Sequence, residues 1–61
     1  MNEKTIKRQA EEVILGLTSE GFDPQQISYA MTDGEYLGKA GISQVVAEEV
    51  HNRIKKIVQV R

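Results

Sequence analysis

The residues of this sequence best placed to do chemistry surround its one histidine. Glu48 and His51 form a Glu-x-x-His spacing, which in a helix puts a carboxylate and an imidazole on the same face. Pairs of such motifs on facing helices can hold metal ions. Here the motif occurs once, on the polar side of an apolar stripe. We therefore predict a solvated helix surface, with no metal site and no cofactor.

A second candidate is the segment 36–50, which resembles a helix-turn-helix with Ala40-Gly41-Ile42-Ser43 as its turn. The resemblance implies that Ser43 and Gln44 read base edges while basic side chains contact the DNA backbone, namely Arg53, Lys55, Lys56 and Lys39. It requires a preceding helix that starts right after Asp33-Gly34 and carries Gly38. It also brings Glu48 and Glu49 towards phosphates. DNA binding is therefore the alternative function and not the leading one.

A third resemblance lies in Gly21-Phe22-Asp23-Pro24-Gln25-Gln26-Ile27, which is similar to the loop leading into the second helix of ubiquitin-associated-type three-helix domains. It implies a small ubiquitin-binding fold. The sequence has Glu20 where that family has methionine, and its last helix is longer.

The sequence lacks the residues needed for phosphate binding, catalysis or membrane contact. The glycines Gly34, Gly38 and Gly41 do not have the spacing of a phosphate-binding loop. A short helical chain with one histidine and three aromatic residues leaves little room for a catalytic pocket, so we predict that it is not an enzyme. A net charge of -1, no cysteine and no long apolar run indicate a cytoplasmic protein without membrane contact.

The elements that position these residues are helical. Apolar side chains repeat at helical spacing from Lys4 to Thr18, and Gly21 is suited to end that helix. Asp23-Pro24 is a typical helix start, so a short second helix should run from Pro24 to near Thr32.

The glycine-rich residues 33–42 predict a structured loop, in which at most one helical turn forms around 35–39. Ser43 is suited to cap a last helix of about 16 residues, whose apolar positions are Val46, Ala47, Val50, Ile54, Ile57 and Val58. The expected fold is all-α: a single domain over 1–61 with two longer helices, one short middle helix and a glycine-rich loop before the last helix.

The function predicted from these features is that of a small regulator, adaptor or inhibitor that docks on a larger protein. The expected partner-binding residues lie on the glycine-rich loop: Tyr36, Leu37, Lys39 and Ile42. The same apolar side chains could instead cover the core, and the residues alone do not separate the two roles. Self-association is a further possibility, because Val45 and Val60 lie off the main apolar stripe of the last helix.

Overall fold

The computed structural model describes residues 2–59, with side chains described as far as Ile57. This part of the chain is helical and contains no strand. It forms four helices: α1 (Glu3–Ser19), α2 (Pro24–Ala30), α3 (Gly34–Ala40) and α4 (Gln44–Gln59). The all-α class and the bounds of α1, α2 and α4 follow the sequence prediction to within about two residues.

Helices α1 and α3 end in the same way, with a glycine at equivalent positions 20 residues apart. In each, a glycine takes a left-handed conformation, Gly21 with φ +99° and Gly41 with φ +73°. The next residue donates its N–H back to a leucine carbonyl, from Phe22 to Leu17 and from Ile42 to Leu37, both at 3.0 Å. This is the Schellman arrangement, in which a glycine reverses the chain and the following apolar residue returns to the core.

Each closure is followed at once by the cap of the next helix. Asp23 accepts a hydrogen bond from the Gln26 N–H at 2.8 Å, and the Gln26 side chain accepts from the Asp23 N–H at 3.0 Å. This reciprocal capping box fixes the start of α2. At the start of α4, the Ser43 hydroxyl accepts from the Val46 N–H at 3.4 Å. Two short turns therefore set the directions of α2 and α4 locally.

The prediction of a three-helix domain with a loop over 33–42 is wrong, because Gly34–Ala40 is a helix. The three glycines cost less than expected, since Gly34 is the first helical residue, Gly41 lies outside the helix and only Gly38 lies in its interior. Asp33 accepts hydrogen bonds from two backbone N–H groups in the first turn. Burial of Leu37, which is 6% exposed, anchors this helix to the core.

The core is built around α4. Val46, Ala47, Val50 and Ile54 of this helix are each at most 3% exposed. The other buried side chains come from all three remaining helices or their ends: Ala10, Leu17, Ile27, Met31 and Leu37. Helices α1 and α2 pack mainly against α4 and much less against each other. Further along α4, Ile57 is 54% exposed, contrary to its predicted place in the buried stripe. The side chain of Val58 lies outside the described residues.

Helices α2 and α4 run in opposite directions. Gln25 at the start of α2 shares a groove with Lys55 near the end of α4. Thr32, just after α2, shares another groove with Gln44 at the start of α4. This arrangement brings the exposed face of α2 beside the polar edge of α4.

Substitution of two glycines by alanine should have opposite effects on stability. Gly38→Ala should raise the free energy of unfolding by about 0.5–1 kcal/mol, because Gly38 is an exposed helical residue with open space at the Cβ position. Gly41→Ala should lower it by about 1–2 kcal/mol, because alanine is strained at φ +73°. Urea unfolding followed by circular dichroism measures both variants. Equal effects of the two substitutions would contradict the assignment of α3 and its left-handed closure.

Candidate functional site

A groove of about 550 Å³ lies between α2 and α4. It is bounded by residues of these two helices and the turn after α2: Gln25, Ser28, Tyr29, Thr32, His51, Ile54 and Lys55. Ile54 is buried, whereas Gln25, Tyr29, Thr32 and Lys55 are exposed along the rim. The groove therefore combines an apolar floor with polar and aromatic groups that can contact a ligand.

Tyr29 is the most exposed large apolar residue of the described chain, with 80% of its surface accessible. It lies two positions after the buried Ile27, which puts the two side chains about 200° apart around the helix axis. A second groove, about 420 Å³, also includes Tyr29 and reaches Phe22 and Ala30. The phenol ring therefore stands on a ridge between two grooves.

Ser28 and His51 join α2 to α4 beneath this ridge. The Ser28 hydroxyl and Nδ1 of His51 lie 2.9 Å apart and form a partly buried hydrogen bond. No buried side-chain nitrogen or oxygen of the described residues lacks a hydrogen-bond partner. The Ser28–His51 pair therefore holds the two helices in register at the site where the groove forms.

The charge around the groove is uneven. Lys55 lines it and no carboxylate does. The acidic Glu48 lines the neighbouring groove beside Thr32, about 10 Å from Lys55 along α4. Arg53 is paired with Glu49 at 3.1 Å, and this is the one ion pair among the residues that the structure describes. Positive charge therefore lies at the Gln25 end of the groove.

The predicted partner-binding residues of α3 lie mostly against the core. Leu37 is buried, Tyr36 and Ile42 are half-buried and packed against the core cluster, and Lys39 is exposed. Ile42 also lines a separate groove of about 330 Å³ with Val13 and Val46. Tyr36, Leu37 and Ile42 therefore have a structural role, and none of these side chains lines the grooves that contain Tyr29.

Most of the residues predicted for DNA contact lie along α4, whereas Lys39 is exposed on α3 and Ser43 directly precedes α4. Ser43 and Gln44 are exposed at its start, whereas Lys55 and Lys56 are exposed near its end. Gln44 and Lys55 are about 17 Å apart along the axis. The helix-turn-helix order itself is present, because α3, the turn around Gly41 and α4 follow one another as that resemblance requires. The structure thus has the order of elements of the motif, while Lys55 and Lys56 lie far along α4 from Ser43 and Gln44.

The Glu48 and His51 pair does not gather further ligands. Among the described residues, no group of three or more histidine, cysteine, aspartate or glutamate side chains is close enough to hold a metal ion. One imidazole nitrogen of His51 is already engaged by Ser28. For the predicted self-association surface, Val45 is 52% exposed and Val60 lies outside the described residues.

Two further findings concern the chain as a whole and not the groove. Over residues 2–59, no helix has the length and apolar character needed to cross a membrane. Comparison of the chain with protein-family models, curated proteins and solved structures finds no match.

Tyr29 and the groove beside it were not predicted from the sequence. The signal was available, because Tyr29 is an aromatic residue on the face of α2 opposite the stripe of Ile27, Ala30 and Met31. An aromatic side chain off the buried stripe of an amphipathic helix has no core to enter. The position of the groove could not be inferred in the same way, because it depends on how α2 lies against α4.

The hydrogen bond between Ser28 and His51 should contribute a measurable coupling to stability. Ser28→Ala, His51→Ala and the double variant form a double-mutant cycle, and we expect a coupling energy of about 0.5–1.5 kcal/mol. Thermal and urea unfolding of the four proteins gives this value. Additive effects of the two single substitutions would show that the contact does not hold α2 to α4.

Proposed function

We propose that this chain is a protein-binding module that docks on a larger protein through the groove between α2 and α4, with Tyr29 as its central anchor. The observation that carries the proposal is the 80% exposure of Tyr29 on a ridge between two grooves. Tyrosine is enriched among the residues that dominate binding energy at protein interfaces. Its rigid ring loses little conformational entropy on binding, and its hydroxyl can still form a hydrogen bond.

The surroundings of Tyr29 support docking more than chemistry. The floor of the groove is Ile54, which is nearly fully buried and carries no reactive group. The Ser28 hydroxyl and one nitrogen of His51 bond to each other between the helices. The neutral polar side chains Gln25 and Thr32 lie on the rim, where they can form hydrogen bonds around an apolar centre. This is the usual arrangement of a small protein interface.

The rigidity of the groove also supports this role. Its walls are helices whose starts are fixed by Asp23 and Ser43 and whose fully buried side chains, Ile27 and Val50, belong to one core cluster. A surface held by packed helices is already ordered before a partner arrives. The entropic cost of binding is then smaller than for a loop. The contacts of a partner would therefore contribute more of their energy to affinity.

Removal of the Tyr29 ring should abolish or weaken binding without unfolding the chain. Tyr29→Ala should reduce affinity for the partner by about 1–3 kcal/mol and leave the unfolding transition nearly unchanged, because Tyr29 contributes little to the core. Recovery of partner protein from nuclease-treated lysate of source cells identifies the partner. Titration calorimetry with the purified partner then measures the affinity of each variant.

Two control variants separate binding from folding. Leu15→Ala removes another exposed apolar side chain, 64% accessible on α1 and outside the groove, and should leave affinity unchanged. Tyr36→Ala removes a half-buried tyrosine packed on the core and should lower stability. If Leu15→Ala weakens binding as much as Tyr29→Ala, or if Tyr29→Ala has no effect, the groove is not the docking site.

DNA binding through α3 and α4 is the second candidate. The observation that favours it is the helix Gly34–Ala40 followed by a turn with Gly41 in the left-handed conformation and a helix capped by Ser43. In this arrangement Ser43 and Gln44, both exposed, would approach base edges. The separation of Lys55 and Lys56 from this end, and the pairing of Arg53 with Glu49, weigh against it.

If DNA is the ligand, its affinity must depend on salt and on the basic side chains. Replacement of Lys55 and Lys56 by glutamine should then weaken binding to all DNA sequences and flatten the dependence of log K on log salt concentration. Fluorescence anisotropy with a labelled duplex between low and moderate salt measures this slope. Our leading proposal predicts no DNA binding at physiological salt, and a steep slope reduced in the variant would replace it with the DNA-binding function.

A further inference from the structure

We infer that the segment received by the groove between α2 and α4 is an acidic amphipathic helix of the partner protein. This inference rests on the proposed function and adds the chemistry of the partner. It follows from three features of the groove: its charge, its shape and the difference in charge between its two ends.

The positive charge of the groove favours a partner with acidic groups. Lys55 lines the groove, and neither aspartate nor glutamate is among its lining residues. Lys56 follows on the adjacent exposed surface. Since Glu49 already pairs with Arg53, neither lysine has an ion-pair partner within the described chain. A carboxylate brought by a bound segment would therefore gain an attraction that the free protein does not satisfy.

The shape of the groove favours a helix over other peptide conformations. The groove follows α2 from Gln25 to Thr32, a length of about 10 Å, between two helices. Its two apolar lining residues, the exposed Tyr29 and the nearly fully buried Ile54, suit one or two apolar side chains spaced one helical turn apart, as on an amphipathic helix bound in a cleft. An extended peptide would need a strand edge, and the part of the chain described here has none. A polyproline segment would need several aromatic rings, whereas Tyr29 is the one aromatic residue of this groove.

The two ends of the site differ and so orient the bound helix. Lys55 lies beside Gln25 at one end, and Glu48 lies beyond Thr32 at the other. The acidic side chains of the partner should therefore lie over the Gln25 end, with an apolar side chain between Tyr29 and Ile54. A helix docked in the reverse direction would place its acidic groups near Glu48, which is unfavourable.

Selection from a displayed library of random peptides tests the chemistry directly. The full chain is immobilised, and peptides are selected in parallel against this protein, the Lys55→Glu/Lys56→Glu variant and the Tyr29→Ala variant. Lys4→Glu/Lys7→Glu is the matched control, because it makes the same change in net charge on exposed residues of α1. Circular dichroism confirms that each variant is folded before selection.

The native chain and the charge-reversed variant should select peptides of opposite charge. The native chain and the Lys4→Glu/Lys7→Glu control should enrich peptides with helically spaced apolar residues and flanking acids, and the Lys55→Glu/Lys56→Glu variant should enrich basic peptides. A selected acidic peptide should bind that variant at least about fivefold more weakly than the native chain. It should also lose affinity as salt is raised, since these charges are exposed.

The selection experiment distinguishes failure of the acidic-helix inference from failure of the proposed docking groove. Peptides that require Tyr29 but bind the native and charge-reversed chains equally would overturn the acidic helix and leave the docking groove in place. Peptides that bind without Tyr29, or no enrichment at all, would overturn both proposals. Sedimentation at several concentrations completes the test, because a dimer that Tyr29→Ala converts to a monomer would make the occupant a second copy of this chain.

Discussion

Burial of one face of α4 is the interaction on which the rest of this structure depends. Val46, Ala47, Val50 and Ile54 are almost fully removed from solvent, and α1 and α2 reach the core chiefly through them. A chain of 61 residues buries a smaller share of its surface than larger domains do, so each of these contacts carries a large part of the stability. The turns at Gly21 and Gly41 matter because they return the following apolar residue, Phe22 or Ile42, to the core cluster.

The same constraint explains why the groove lies where it does. Helix α2 is short and must direct Ile27 and Met31 towards α4, which leaves Tyr29 on the opposite face with no place in the core. The antiparallel approach of α2 then aligns its exposed edge with His51 and Lys55. In the proposed docking module, Tyr29 therefore serves recognition without a place in the core, whereas Ile54 belongs to both the core and the groove. Tyr29 can change with little cost to the fold, because 80% of its surface is exposed.

Much of the fold could be predicted from sequence because its signals are local. Asp23-Pro24 marks the start of α2, Ser43 marks that of α4, and apolar spacing outlines α1 and α4. Glycine content alone does not predict α3, because the positions of the glycines decide the outcome: only Gly38 lies inside the helix, and Asp33 and Leu37 offset its cost. The groove could not be predicted, since the 2.9 Å contact between Ser28 and His51 joins residues 23 positions apart and depends on tertiary packing.

The position of α4 in the chain also affects how the protein is made. Helices α1, α2 and α3 leave the ribosome before α4, which supplies four of the nine buried core residues of the described chain, so their own buried side chains must wait for Val46 and the residues after it. Folding units form as their parts become available during synthesis, and exposed apolar surface attracts chaperones and proteases in the meantime. A ribosome that pauses before α4 has emerged would hold a chain unable to fold.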